Sequence, residues 1–193
     1  MGINLTKGQK FSLEKEAGNK LKTVVMGLGW DARKKRGFFG LGGGAQEIDL
    51  DASCLMFDEQ GELLDVCWFS QLSSEDGSIQ HTGDNRTGAG EGDDEQIIVT
   101  LDAVPANVKT LMFTVNSFTG VSFNEIENAF CRLFDESSGR EIARYNLGCN
   151  GNHTAMIMAK LYRHSGEWKM HAIGDSASGA TFEDLLPVIS NHL

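Results

Sequence analysis

Glu47-Ile-Asp-Leu-Asp-Ala-Ser-Cys-Leu-Met-Phe57 is the stretch on which the fold turns. Successive side chains of a strand point to opposite faces. Ile48, Leu50, Ala52, Cys54 and Met56 then share one apolar face, while Asp49 and Asp51 share the other. This period-two alternation predicts a strand with its apolar side on a core. Similar runs, rich in β-branched, aromatic and long apolar residues, follow on both sides at 11–15, 22–29, 63–70, 96–101, 110–118, 129–135, 142–147, 155–163 and 167–173. Turn signals separate them, among them Asp58-Glu-Gln-Gly61, Glu136-Ser-Ser-Gly139 and His164-Ser-Gly166. Many strands, short links and little helical periodicity predict an all-β, antiparallel sandwich of about ten strands.

Short helical pieces are expected at 124–128 and at 181–193. In the second, Thr181 and Asp184 approximate a capping box, and Leu185, Ile189 and Leu193 repeat at four-residue spacing. Pro187 limits that helix to a short piece.

The chain has 193 residues, enough for one domain spanning 1–193 with its own core. It is 40% hydrophobic and 23% charged, which is ordinary for a globular protein and too apolar for a disordered one. Its formal net charge of -10 argues against a nucleic-acid binder and suits a protein that meets cations or basic partners. No apolar run is long enough for a transmembrane segment. The N-terminus does not read as a secretory signal, so a cytoplasmic location is expected. Cys54, Cys67, Cys131 and Cys149 lie far apart with no CxxC spacing, and they read as reduced thiols, Cys54 and Cys131 as buried small hydrophobes.

The chemistry concentrates in an acidic, glycine-rich loop expected over 73–95. Asp84, Glu91, Asp93, Asp94 and Glu95 place five carboxylates in twelve residues. Asn85 and Thr87 add neutral oxygens, and Gly83, Gly88, Gly90 and Gly92 let the backbone bend. A hard cation such as Ca²⁺ takes six to eight oxygens at about 2.3 to 2.6 Å. This segment can supply them, although Arg86, Gly88 and Ala89 depart from an EF-hand loop. Asp49 and Asp51 add two carboxylates on one strand face. Their mutual repulsion is tolerable in open water or around a cation. Asp31, after Gly27-Leu-Gly-Trp30, is a further candidate. The alternative is a solvated charge run and a water-facing strand. No phosphate loop, HExxH or GxSxG is present, so nothing reads as catalytic machinery.

At these residues the chain resembles the TerD family of bacterial tellurium-resistance and general stress proteins. The resemblance rests on Gly27-Leu-Gly-Trp-Asp31, Ile48-Asp-Leu-Asp-Ala-Ser53, Asp76-Gly-Ser78, His81-Thr-Gly-Asp-Asn-Arg-Thr-Gly88 and Gly90-Glu-Gly-Asp-Asp-Glu95. It continues through Asn128-Ala-Phe130 with Arg132, Ile142-Ala-Arg-Tyr145, Leu161-Tyr-Arg-His164 and Glu167-Trp168, and it is closest to the TerX and TerZ branch. It implies a Ca²⁺-binding sandwich of two face-to-face sheets without enzymatic activity, in a cytoplasmic bacterial protein linked to tellurite, phage and colicin resistance. It further implies contacts with other Ter proteins at the inner membrane surface. The metal ligands it implies are Asp31, Asp49, Asp51, Asp84, Asn85, Asp93, Asp94 and Glu95, with backbone carbonyls of Thr87, Gly88 and Gly90, holding two ions. The segment 34–46 is longer and more glycine-rich than the pattern, and 175–193 departs from it. Two other readings stay open. One is an interaction module of a Ter complex with a purely structural metal. The other is a metal-assisted hydrolase, for which no nucleophile or general base stands out.

Overall fold

The computed structural model describes residues 2–32, 48–83, 92–147 and 151–193. The expectations for Asp84, Asn85, Thr87, Gly88, Gly90 and Cys149, and for the segment 34–46, lie outside the described residues.

Among the described residues, the strands form two six-stranded sheets. The elements run β1 (Ile3–Asn4), β2 (Lys10–Ser12), α1 (Leu13–Ala17), β3 (Thr23–Ala32), β4 (Leu50–Phe57), β5 (Leu63–Cys67), β6 (Ile79–His81), β7 (Glu95–Thr100), β8 (Thr110–Ser117), β9 (Ile126–Asp135), β10 (Glu141–Asn146), β11 (Ala155–His164), β12 (Glu167–Ala177) and α2 (Leu186–Ile189). The first sheet has the order β1-β10-β9-β3-β7-β6, the second β2-β12-β11-β8-β4-β5. The pairings are antiparallel except for β1, which runs parallel to β10.

Alternation decides which side chains fill the space between the sheets. Met26, Leu28 and Trp30 of β3, Leu50, Ala52, Cys54 and Met56 of β4, and Leu111, Phe113 and Val115 of β8 belong to one central core. Ser165 and Gly166 join β11 to β12 with positive φ at both positions (+53° and +79°), the backbone of a tight primed hairpin turn. Asp135 organises the β9–β10 turn, its carboxylate accepting from the Ser137 amide and from the hydroxyls of Ser137 and Ser138.

Three expectations change. The segment 11–15 splits, because β2 ends at Ser12 and α1 begins at Leu13. The helical piece expected at 124–128 is a single 3₁₀ turn, Phe123–Glu125, and β9 begins at Ile126. The segment 73–95 is not one open loop: Ser73 bridges Gln80, β6 pairs with β7, and Glu95 opens β7. Polar residues masked β6, which has only one apolar side chain, Ile79, turned into the core.

The outer face of β4 is also covered. Leu55 and Phe57 join Met112 and Ile157 in a second cluster, sealed by Phe182, Leu185 and Ile189 of the C-terminal segment. Asp184 holds that segment's start by accepting from the amides of Ala180 and Thr181. Pro187 stands in the first turn of α2, where its missing N–H costs nothing, so it starts the helix rather than ending it. Leu185 and Ile189 are fully buried, whereas Leu193 is largely exposed. Leu185→Ala should therefore destabilise by about 2–5 kcal/mol. Chemical denaturation measures this, and an unchanged midpoint would show that the tail does not seal the sheet.

Cys54, Cys67 and Cys131 are free and buried. Burial pushes the Cys67 thiol up to about 11 and that of Cys131 to about 12. Thiolate is the reactive form. These three should resist a water-soluble thiol reagent in the native protein at pH 8 and react on unfolding. Fast native labelling of Cys54 or Cys67 would contradict the packing.

Candidate metal centre

The run Asp93-Asp94-Glu95 sends three successive carboxylates to three strands. Asp93 lies on the outer face of the first sheet. Arg132 of β9 donates to both its oxygens, Nε at 2.7 Å and Nη2 at 2.9 Å, and Gln96 Nε2 adds a third bond at 3.0 Å. Gly27 makes this possible. It pairs with Arg132 on one side and Gln96 on the other, and a Cβ there would stand 2.2 Å from Asp93 Oδ2. Gly29 does the same two residues on, where a Cβ would strike the Gly92 carbonyl and the Phe130 ring. The pair Gly27 and Gly29 is thus a trough in β3 that admits the returning chain.

Asp94 turns to the end of β3. Its Oδ2 accepts from the Trp30 amide at 2.9 Å, and its own amide donates to the Leu28 carbonyl. The register of β3 against β9 shifts between Gly29 and Asp31, which displaces Trp30 from the regular ladder. Burial holds the Asp94 carboxyl above the ordinary carboxylate range, and the charges of Asp31, Asp93 and Glu95 add to the effect against the Trp30 amide.

Glu95 crosses the sandwich. Its Oε2 accepts from the Ala52 amide of β4 at 2.7 Å. β5 pairs with β4 only from Cys54 onward, so Ala52 lies where that edge has lost its neighbour strand. His81 Nε2 stands 3.3 Å from the same oxygen, with both side chains fully buried. The Gly83 amide donates to Nδ1, which places the imidazole proton on Nε2, facing the carboxylate.

Trp30 completes the frame. Its indole Nε1 donates to the Ile48 carbonyl at 3.1 Å. The segment carrying Asp49 and Asp51 is therefore held at both ends, Ile48 by Trp30 and Ala52 by Glu95. Asp49 and Asp51 are only 8% and 5% exposed, so their face is not open to water as a solvated strand would be. Asp31 is exposed at the tip of β3, opposite Glu127, and accepts from Asn128 Nδ2 at 2.8 Å.

Six expected ligands, Asp31, Asp49, Asp51, Asp93, Asp94 and Glu95, thus lie at the end of the sandwich where β3, β4 and β7 meet. They do not play one part. Asp93 spends both oxygens on Arg132 and Gln96, and Glu95 spends one on Ala52. Asp49, Asp51, Asp94 and Glu95 also have further partners. Among the described residues, no three His, Cys, Asp or Glu side chains by themselves converge on a metal position. Sequence reasoning gave no role to Gly27, His81, Gln96 or Arg132. The spacing of Gly27 and Gly29, two glycines on one face of an otherwise apolar strand, was the available signal for a close approach.

The TerD domain model matches residues 1–186. The chain belongs to the TerD family. The tellurium resistance protein TerZ of Serratia marcescens is 48% identical over 184 residues, covering 95% of this chain and 94% of that protein. Stress response protein SCP2 of Bacillus subtilis (strain 168) is 44% identical over 198 residues, covering 96% and 98%. Among solved structures, a homologue of telluride resistance protein (TerD) from Streptomyces coelicolor A3(2) superposes with a TM-score of 0.67 at 20% identity, covering 83% of this chain and 92% of that one. That likeness shows a shared TerD fold. No described helix is long and apolar enough to cross a membrane.

Gly27→Ala should destabilise this TerD domain by about 1–3 kcal/mol, the cost of overpacking a filled site. Asp93→Ala removes the colliding carboxylate, so the double variant should lose less than the sum of the singles. A double-mutant cycle by denaturation measures the coupling, and strict additivity would separate Gly27 from Asp93.

Proposed function

We propose that the chain is a non-enzymatic stress-response protein of the tellurium-resistance kind that binds Ca²⁺ at the junction of β3, β4 and β7. The observation that carries this reading is the double anchoring of the Asp49–Asp51 segment by Trp30 and Glu95. It holds two nearly buried carboxylates, Asp49 and Asp51, at the end of the sandwich that also carries Asp31 and Asp94. Buried charge is costly unless it is compensated. The Arg132 guanidinium compensates the Asp93 carboxylate of this cluster.

The donor chemistry fits. Oxygen donors from carboxylates suit a hard cation, whereas the neighbouring thiols of Cys54 and Cys67 are turned into the core. In this reading Asp31, Asp49, Asp51 and Asp94 are ligands. Asp84, Asn85 and the carbonyls of Thr87, Gly88 and Gly90 complete the coordination. Asp93 and Glu95 act chiefly as positioning residues, which narrows the ligand role first expected of them. A bound cation supplies the positive charge that lets the acidic end close.

A cation that binds only the folded form adds about 2.7 kcal/mol at one hundred times Kd. For a domain of this size that is roughly 5 to 10 °C in Tm. Mg²⁺ should give a smaller rise, because it demands six short bonds and gives up water reluctantly. Asp49→Asn or Asp51→Asn should shrink the calcium-dependent rise. Asp93→Asn should lower Tm with and without calcium, by about 1–3 kcal/mol of stability, because the Arg132 fork loses its partner. Scanning calorimetry with chelator, Ca²⁺ or Mg²⁺ reads all three. An unmoved Tm in saturating Ca²⁺ would overturn the reading.

A further inference from the structure

The outer face of the second sheet carries a row of basic side chains at the edge remote from β4. The register sets Lys10 of β2 opposite His171 of β12, and His171 opposite Lys160 of β11. Their strand neighbours Phe11, Met170 and Leu161 pack on the central core, so all three residues of the row point outward. Adjacent strands lie about 4.8 Å apart, which stands the three side chains next to one another. No acid is interleaved among them, and like charges directly opposite destabilise a sheet. This occurs on a chain with a net charge of -10.

The surroundings are basic too. The C-terminal segment returns to the row, where Lys160 Nζ donates to the His192 carbonyl. Asp175, the acid whose charge acts on His171, is already shared by Lys7 at 2.5 Å and His192 at 3.0 Å. Lys169 lies one outward step along β12, opposite Ser12 and Tyr162, and Ser12 Oγ donates to Glu167 beyond it. His171 Nδ1 is shut off from water and has no hydrogen-bond partner among the described residues.

We propose that Lys10, His171 and Lys160 form a seat for a small, doubly negative oxyanion, free or as the phosphomonoester end of a larger molecule. The anion stands between cations that the fold holds side by side, and it allows His171 to take up a proton and join them. Without it, burial and the charges of Lys10, Lys160 and His192 push His171 down to about 4, against a smaller opposing effect of Asp175. Lys160 is likewise lowered, by burial and by Lys10. His171 is then neutral at pH 7. Bound anion raises its pKa, so binding tightens as pH falls.

Sulfate is the suitable probe because it stays doubly charged across the titration. The His171 ring resonances of the full chain are followed by NMR from pH 7.5 to 3.5 in sulfate or in chloride of equal ionic strength. The pKa of His171 should rise by about one unit in sulfate, equivalent to about tenfold tighter binding of the anion to the protonated form. Lys160→Met should remove most of that rise. The exposed Lys10→Gln, which leaves the tail contacts alone, should reduce it independently. Methyl phosphate at pH 7.5 separates the sources. If it perturbs the same resonances, the seat accepts a phosphate carried on a larger molecule; if only sulfate does, it takes free anions. Equal pKa values in sulfate and chloride, or a rise undiminished in both variants, would overturn the proposal.

Discussion

The bond from the Ala52 amide to the buried Glu95 carboxylate is the constraint on which the acidic end of the molecule depends. It joins the two sheets where β4 has no neighbour from β5, and it satisfies an edge amide with a charge-assisted acceptor. A carboxylate removed from water must be hydrogen-bonded to be tolerated. Glu95 meets that requirement with the Ala52 amide, and the His81 imidazole lies 3.3 Å from the same oxygen. Because Glu95 points inward, alternation and the bend before β7 send Asp94 to the Trp30 amide and Asp93 outward to Arg132. Three consecutive acids then tie β7 to β4, β3 and β9. A run that reads as excess negative charge is, in the fold, a three-way junction.

That junction changes the electrostatic argument. Asp93, bonded to Arg132 and Gln96, and Glu95, bonded to the Ala52 amide, hold the frame. In the proposed reading the ligands are the carboxylates on the framed segments, Asp31, Asp49, Asp51 and Asp94. The division rests on geometry: Asp93 fills the trough over Gly27, a place no solvated ion could share with the Arg132 fork. Asp51 lies in β4, a strand buried on both faces, and Asp49 directly precedes it. Leu55 and Phe57, further along the same outer face, are covered by Phe182, Leu185 and Ile189. The outer face of β4 thus passes from acidic to apolar along its length, and the C-terminal segment seals only the apolar part.

Much of this was legible in the sequence. The alternation over Glu47–Phe57 correctly assigned the inward set Leu50, Ala52, Cys54 and Met56, because period two is imposed by the backbone alone. The sandwich followed from strand number and turn chemistry. Alternation could not show that Leu55 and Phe57, on the same outer face, are also covered, since the cover comes from Phe182, Leu185 and Ile189, more than a hundred residues away. It missed β6, where Gln80 and His81 follow the one apolar residue, Ile79, and β1, two residues paired only with β10. Within the site, acid clustering found the right segments but not the division of labour. Arg132 and Gln96 reach Asp93 only because Gly27 and Gly29 open a path, and such a path exists only once strands are placed side by side.

Isothermal titration of Ca²⁺ into chelator-treated protein, with excess Mg²⁺ present, tests the central claim most directly. The account predicts saturable binding that persists against Mg²⁺ and is lost when Asp49 and Asp51 are both changed to Asn. No saturable heat in the wild-type protein, or undiminished binding in the double variant, would contradict it.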